Sequence, residues 1–454
     1  MVCKKHTRSL LEMLFLKRVT WIFLGTAVIG LAHCAVDADL ESSIDLQVDE
    51  ASMSDIFKAA IGERIKLAFA IGGAMELVGT ISRASAYEDT ISNAPSTHTS
   101  IKIIRGDIEA LSVGTVRYIG GYFVIALRDN TFHVYLESGN ITRRFSIKGD
   151  QIFHYPNDGF DLYDLLLRPQ QSDVQSPATV PENPAIVTMP VIPSETAESV
   201  DLMVLYTPAV MQRYGQEWLH TQIAKAVDDF NTAVFNSLPG ATWLPNNPVR
   251  LTHVGFLHHA DEGSEFPVQD TFRWLGDTVG DGSRAQQILT HYGADLLHVI
   301  VSDIDRVIDS DGQITETHCG RAYMAEPGEN GRYRTAGVTS VSCLGNYTLA
   351  HEIGHNFGMA HNEEDVDVEG LLPMAHGMRV PGRFSTIMAY GCQEKTCRRY
   401  LYFSNPNVSL LGFPTGSDTA FNALAIVYSM HTLASWRELR PFEGDHPLVS
   451  TMPL

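Results

Sequence analysis

The run His351-Glu-Ile-Gly-His-Asn-Phe-Gly-Met-Ala-His361 places three imidazoles, a carboxylate and a glycine at spacings that suit one zinc ion and hydrolysis beside it. Residues four apart on an α-helix lie almost above one another, so His351 and His355 present ring nitrogens from one face. Glu352, one residue on, points about 100° away around the helix. A carboxylate there stands beside the metal rather than on it. It can deprotonate a zinc-activated water as general base and then protonate the leaving amine. The helix must stop and reverse for His361 to complete the set, and Gly358 permits this because glycine enters the left-handed conformation without steric cost. Three histidines leave a fourth tetrahedral position open, which marks a catalytic rather than a structural zinc site.

Downstream comes Ser385-Thr-Ile-Met-Ala-Tyr390. With HExxHxxGxxH ahead of it, this segment resembles the metzincin clan of zinc proteases, in which a tight turn carries a methionine beneath the metal. The resemblance makes Met388 that residue, an apolar floor under the ligands. It also makes Tyr390, which stands where astacin-like and serralysin-like members carry a tyrosine, a hydroxyl donor to the oxyanion of the tetrahedral intermediate. Asn362 departs from the aspartate that usually follows the third histidine in reprolysin-like members. An amide still hydrogen-bonds but brings no charge.

The N-terminus reads as a secretory signal over residues 1–35: Lys4, Lys5, Arg8, Lys17 and Arg18 precede a mostly apolar run from Val19 to Ala32. That run is short for a membrane span, so no stable membrane association is expected. In the whole chain 33 basic side chains face 53 acidic ones, a balance that repels nucleic acid. Beyond the signal the cysteines are Cys319, Cys343, Cys392 and Cys397, an even number in a chain bound for an oxidising compartment. The expected pairing is Cys319 with Cys343 and Cys392 with Cys397, with free thiols or a second metal site as the alternatives.

Stepping outward from the motif, alternating segments at Ile101 to Ile104, Gly114 to Ile119, Tyr122 to Leu127, Thr131 to Leu136 and Arg144 to Ile147 predict a β-meander. A Pro/Ser/Thr-rich linker follows at 169–198. Between a signal and a zinc protease, the β-rich segment at 39–168 reads as a propeptide. It contains no cysteine to silence zinc. From residue 199 to 440 strands and helices alternate: strands at Val200 to Thr207, Arg250 to Leu257, Asp295 to Ser302, Gly320 to Ala325 and Ala336 to Val341, and helices at Gln216 to Leu238, Arg284 to His291, Tyr347 to Phe357 and Asn422 to Trp436. The fold class expected is therefore mixed α/β (α+β), with a twisted mixed sheet and a zinc helix, closed by a C-terminal tail at 441–454. The strand at Gly320 is the expected exposed edge for substrate backbone.

Asp201-Leu-Met-Val-Leu-Tyr-Thr-Pro208, Tyr402-Phe-Ser-Asn-Pro-Asn-Val408 and Gly412-Phe-Pro-Thr-Gly416 look like bacterial reprolysin-like (adamalysin-like) enzymes, especially the peptidyl-Asp metalloendopeptidase group. That resemblance implies a secreted, monomeric proenzyme, periplasmic in transit if the host is Gram-negative. Its substrates would be proteins or peptides, cut on the amino side of acidic residues. Such a preference calls for a basic side chain after the methionine turn, and Lys395, Arg398 and Arg399 are available. Acidic stretches at Asp309, Asp311 and at Glu363 to Glu369 read first as solvated surface, with calcium as a second ion the lesser alternative, since Val307 and His318 break the EF-hand pattern. The rival reading is a zinc-stabilised adhesion module without turnover, against which an intact Glu352 weighs.

Overall fold

The computed structural model describes residues 57, 61–70, 74–87, 100–113, 115–128, 131–138, 141–148, 151–154, 197–258, 267–279, 282–302, 305–308, 314–324, 335–365, 370–392, 397–438, 440 and 446–452. The signal at 1–35, nearly all of the linker at 169–198, Lys395 and the Asp309–Asp311 pair lie outside them.

Eight strands build an antiparallel N-terminal sheet, here the β domain: β1 (Arg64–Ala70), β2 (Ala74–Tyr87), β3 (Ile101–Val113), β4 (Val116–Ile119), β5 (Tyr122–Arg128), β6 (Thr131–Ser138), β7 (Ile141–Lys148) and β8 (Gln151–His154). They lie in the order β1-β2-β3-β5-β6-β7-β8, with β4 paired to β3. The alternation that predicts the meander misses β1 and β2. In β2 the pairing to β3 shifts register between Val78 and Gly79 and again between Ile81 and Arg83, and each irregularity breaks the period-two pattern. The central strands are apolar on both faces. In β5, Phe123 and Ile125 turn to the sheet's own core with Leu77, Ile104 and Phe145, while Val124 and Ala126 join Ile103 and Tyr135 in a second core shared with the rest of the chain. Burial on both sides explains the nearly unbroken run Tyr-Phe-Val-Ile-Ala-Leu.

A second sheet begins at β9 (Val200–Tyr206) and adds β10 (Val249–Leu257), β11 (Leu296–Val301), β12 (Gly320–Ala322), β13 (Ala336–Ser340) and β14 (Val449–Met452). The order is β12-β13-β11-β9-β10-β14. The four inner strands run parallel, and both edges, β12 and β14, are antiparallel. Val449–Met452, within the segment read as a tail, thus closes one edge. Along β9, Val200, Leu202, Val204 and Tyr206 face one layer, and Met203 and Leu205 face the other. The first layer holds α2 (Gln216–Ser237), α5 (Thr348–Asn356) and α6 (Asn422–Ala434); the second holds α3 (Val268–Gly276) and α4 (Arg284–Tyr292). A short α1 (Pro208–Tyr214) leads into α2 with proline in its first turn. Helices on both faces of a mostly parallel sheet make this a mixed α/β region. Among the described residues no helix is long and apolar enough to cross a membrane.

α2 carries the apolar stripe Ile223, Val227, Phe230 and Val234 expected of an amphipathic helix, and its opposite face is buried too. Gln222, Lys225, Asp228 and Asp229 lie under β3 and β5, so α2 is sandwiched between the two sheets.

Candidate metal centre

α5 is short and tightly anchored. Its last residue, Asn356, accepts from or donates to three places at once: Oδ1 faces His298 Nε2 on β11 at 2.8 Å, and Nδ2 donates to the carbonyls of Tyr323 (2.8 Å) and Ala336 (3.4 Å). One buried amide thereby ties the helix end to a β11 side chain and to the backbone of β13 and of the residue after β12. Gly354 lies over the methionine floor, since a Cβ there would collide with Met388 Sδ. Met388 is fully buried, in the same core as Ile353 and Phe357. The helix ends at Phe357, and Gly358 follows with φ +86°, the left-handed reversal its position calls for.

Beyond that reversal a two-stranded parallel pair, Ala360–Asn362 with His376–Gly377, carries His361 back over α5. The three rings converge. His361 Nε2 lies 3.1 Å from His351 Nε2 and 3.1 Å from His355 Nε2. His351 Nδ1 donates to the Ile387 carbonyl at 2.9 Å and His355 Nδ1 to the Met359 carbonyl at 2.8 Å, which fixes the tautomer and leaves the Nε2 lone pairs facing inward. Burial pushes all three imidazoles down: His351 well below its ordinary value, His355 to about 4 and His361 to about 2, where His355 and Arg399 add to the effect. Three neutral lone pairs aimed at one point repel unless a cation stands between them. Tetrahedral zinc with bonds of about 2.0–2.1 Å separates its nitrogen ligands by about 3.3 Å, close to the spacing seen. The residues therefore fit zinc, and among the described residues they are the one cluster of potential ligands so placed.

Glu352 is 4% exposed and held against the edge strand β12, where a Cβ on Gly320 would strike its Oε1. Burial raises its carboxyl to about 8, opposed by the positive charges of Arg321 and Arg399. A cation bound at the three nitrogens would oppose that shift further. Among the described residues β12 is an antiparallel edge, paired to β13, and it delivers Gly320 and Arg321 to the carboxylate.

The wall opposite is built from residues that the motif reading treats unevenly. Tyr390, 37% exposed, has its ring 4.2 Å from that of His361. Asn362, the departure from the reprolysin pattern, is buried and accepts the Tyr390 backbone N–H on its Oδ1 at 3.0 Å. A neutral amide thus does the work of bracing the turn. His376 was invisible to the motif: its Nδ1 reaches the His361 carbonyl at 3.0 Å. Of the three basic candidates, Arg399 sits at the site, donating to the carbonyls of Ala389 (3.1 Å) and Asn346 (3.3 Å). Arg398 turns away to pair with Glu137 of the β domain. Both expected disulfides form. Cys319–Cys343 ties the start of β12 to the turn before α5, and Cys392–Cys397 closes the loop after Tyr390. Glu363 and Glu364 are exposed, and Arg379 pairs with Glu364 at 3.1 Å.

Residues 293–419 match the model of metallo-peptidase family M12B, reprolysin-like. A peptidyl-Asp metalloendopeptidase of Pseudomonas aeruginosa is 32% identical over 290 residues, covering 56% of this chain and 44% of that protein. One of Xanthomonas campestris pv. campestris is 24% identical over 360 residues, 78% of this chain and 74% of that protein. The match therefore spans less than half the length of the Pseudomonas relative. Among solved structures, metalloproteinase-II from Bacteroides fragilis aligns over 72% of this chain and 90% of its own, at 14% identity and a TM-score of 0.37. The segment that carries the three histidines thus resembles that family.

Proposed function

We propose that this reprolysin-like chain is a secreted zinc endopeptidase made as a proenzyme, with the β domain as its propeptide and a preference for cutting on the amino side of acidic residues. The convergence of three Nε2 atoms at 3.1 Å beside a buried glutamate carries the reading. His351, His355 and His361 hold the metal. Zinc bound there supplies Lewis-acid polarisation and a lowered pKa for water. Glu352 takes the proton from the attacking water and returns it to the departing amine, and burial keeps that carboxylate's proton affinity near the range such shuttling needs. β12, an edge of its sheet among the described residues, is the strand along which an extended substrate lies across Glu352. The Tyr390 hydroxyl donates to the oxyanion that develops at the scissile carbonyl. Arg399, anchored between the methionine turn and Asn346, is the cation for an acidic side chain after the cut. The peptidyl-Asp names of the relatives support that preference.

The test is Glu352→Ala with metal content and peptide-library cleavage measured together. One zinc per chain should remain while cleavage falls by at least three orders of magnitude, on the order of 4 kcal/mol. Cleavage that survives the substitution defeats the mechanism. Products whose new N-termini show no acidic bias defeat the role of Arg399 alone.

A further inference from the structure

The contact between the β domain and α2 is built like the interior of one protein. Arg105 on β3 is 4% exposed and binds both Asp228 and Asp229, each fully buried on α2. Arg83 reaches Asp228 at 3.2 Å, Ser85 donates to the same carboxylate at 2.6 Å, and Lys225 holds Asp229 at 2.8 Å. Around these charges lie Tyr87, Ile101, Ile103, Val124, Ala126 and Tyr135, one continuous core with α2 and α5. Two neighbouring carboxylates facing inward from a helix are costly unless cations meet them, and here two of the three cations come from the β domain. Nearer the cleft, Tyr122 and Tyr347 share a hydrogen bond of 2.7 Å, and Tyr347 is the residue with φ +62° from which α5 starts. Among the described residues no hydrogen bond or ion pair runs from the β domain to His351, His355, His361 or Glu352.

We propose that the β domain stays seated on the peptidase region after the linker between them is cut, as a noncovalent subunit locked by Arg105 on Asp228 and Asp229. A segment that only covered a cleft has no need to bury charge against the far side of a helix. Severing the chain between His154 and Ala197 breaks none of these contacts, and both sheets keep their registers. The seated domain then continues to hold Tyr347 at the head of α5.

The experiment places a site-specific protease sequence within residues 170–195 of the full-length Glu352→Ala chain, so that self-cleavage does not intervene and the outcome does not depend on peptidase activity. After cutting, the two fragments should co-elute in size exclusion at about 0.15 M salt. In Arg105→Met the dissociation constant of the cut fragments should rise on the order of 100-fold, as removal of one member of a buried ion cluster implies. Arg64→Ala, which removes an exposed pair to Glu109 inside the β domain, should leave it unchanged. Separate elution of the parent fragments, or a rise under about tenfold in Arg105→Met, overturns the proposal. Should Arg105→Met fail to fold, Arg83→Met removes another cation from Asp228 and is read the same way.

Discussion

The metal centre and the joint beneath the β domain both bury polar groups that water would otherwise solvate, and they do so in opposite ways. At the centre, rings ten residues apart at most aim neutral lone pairs at one point, an arrangement that suits a cation. At the joint, carboxylates meet a cation 123 and 124 residues away in sequence. Burial pushes the Asp228 carboxyl up, and Arg105, Arg83 and the Ser85 hydroxyl outweigh it, so it titrates below the ordinary carboxylate range. A buried set of lone pairs aimed at one point is a site for a cation. A buried set whose carboxylates meet cations of the same chain is a seam.

That contrast breaks first at the metal. His361→Ala should abolish stoichiometric zinc and lower kcat/KM by about four orders of magnitude or more, on the order of 5.5 kcal/mol, while the chain still folds. Metal analysis alongside circular dichroism checks it, and full zinc occupancy in the variant would remove His361 from the ligand set. The joint should respond the other way. Asp228→Asn leaves Arg83, and the Arg105 Nε that met Asp228, facing a neutral amide and should cost about 3 kcal/mol of stability. Zinc stoichiometry in the molecules that remain folded should be unchanged. A denaturant midpoint equal to the parent's would show that the cluster is not what seats the two parts together.

Legibility in the sequence follows the same division. The three histidines, Glu352 and Gly358 fall within two turns of helix and a reversal, so helical geometry alone assembles them, and β12 reads as an edge because Gly320 opens a short strand. Asn356 escapes notice because its partner His298 is 58 residues away on β11, and a polar side chain at a helix end reads as solvated. Lys225, Asp228 and Asp229 mislead for a related reason. On an amphipathic helix they mark the water-facing side, and only the β domain reverses that. The choice between Arg398 and Arg399 is likewise a matter of tertiary contact, since neighbours on one strand point opposite ways.

A finer test lies on the cleft wall. Tyr390→Phe keeps the ring that rests against His361 and removes only the hydroxyl. Loss of an oxyanion donor predicts a fall in kcat on the order of 100-fold, about 2.7 kcal/mol, with KM and zinc content held. If kcat stays within a few-fold, the hydroxyl is not aimed at the reacting carbonyl and the ring's packing is its whole contribution.

The smallest effect separates the two disulfides. Chain-entropy arguments give about 3.4 kcal/mol for closing the 24-residue span of Cys319–Cys343 and about 2 kcal/mol for the 5-residue span of Cys392–Cys397. The longer bridge joins β12 to the turn ahead of α5, so replacing both its cysteines by serine should lower the unfolding midpoint more than the same change at 392 and 397. The shorter bridge stands between Tyr390 and Arg399, where the Cys392 N–H also lies 3.1 Å from Cys397 Sγ. Its loss should loosen the wall that positions Arg399 and raise KM for substrates with an acidic residue after the cut more than for neutral ones. Equal shifts in KM for both substrate classes would mean that the loop shapes the cleft without setting its charge preference.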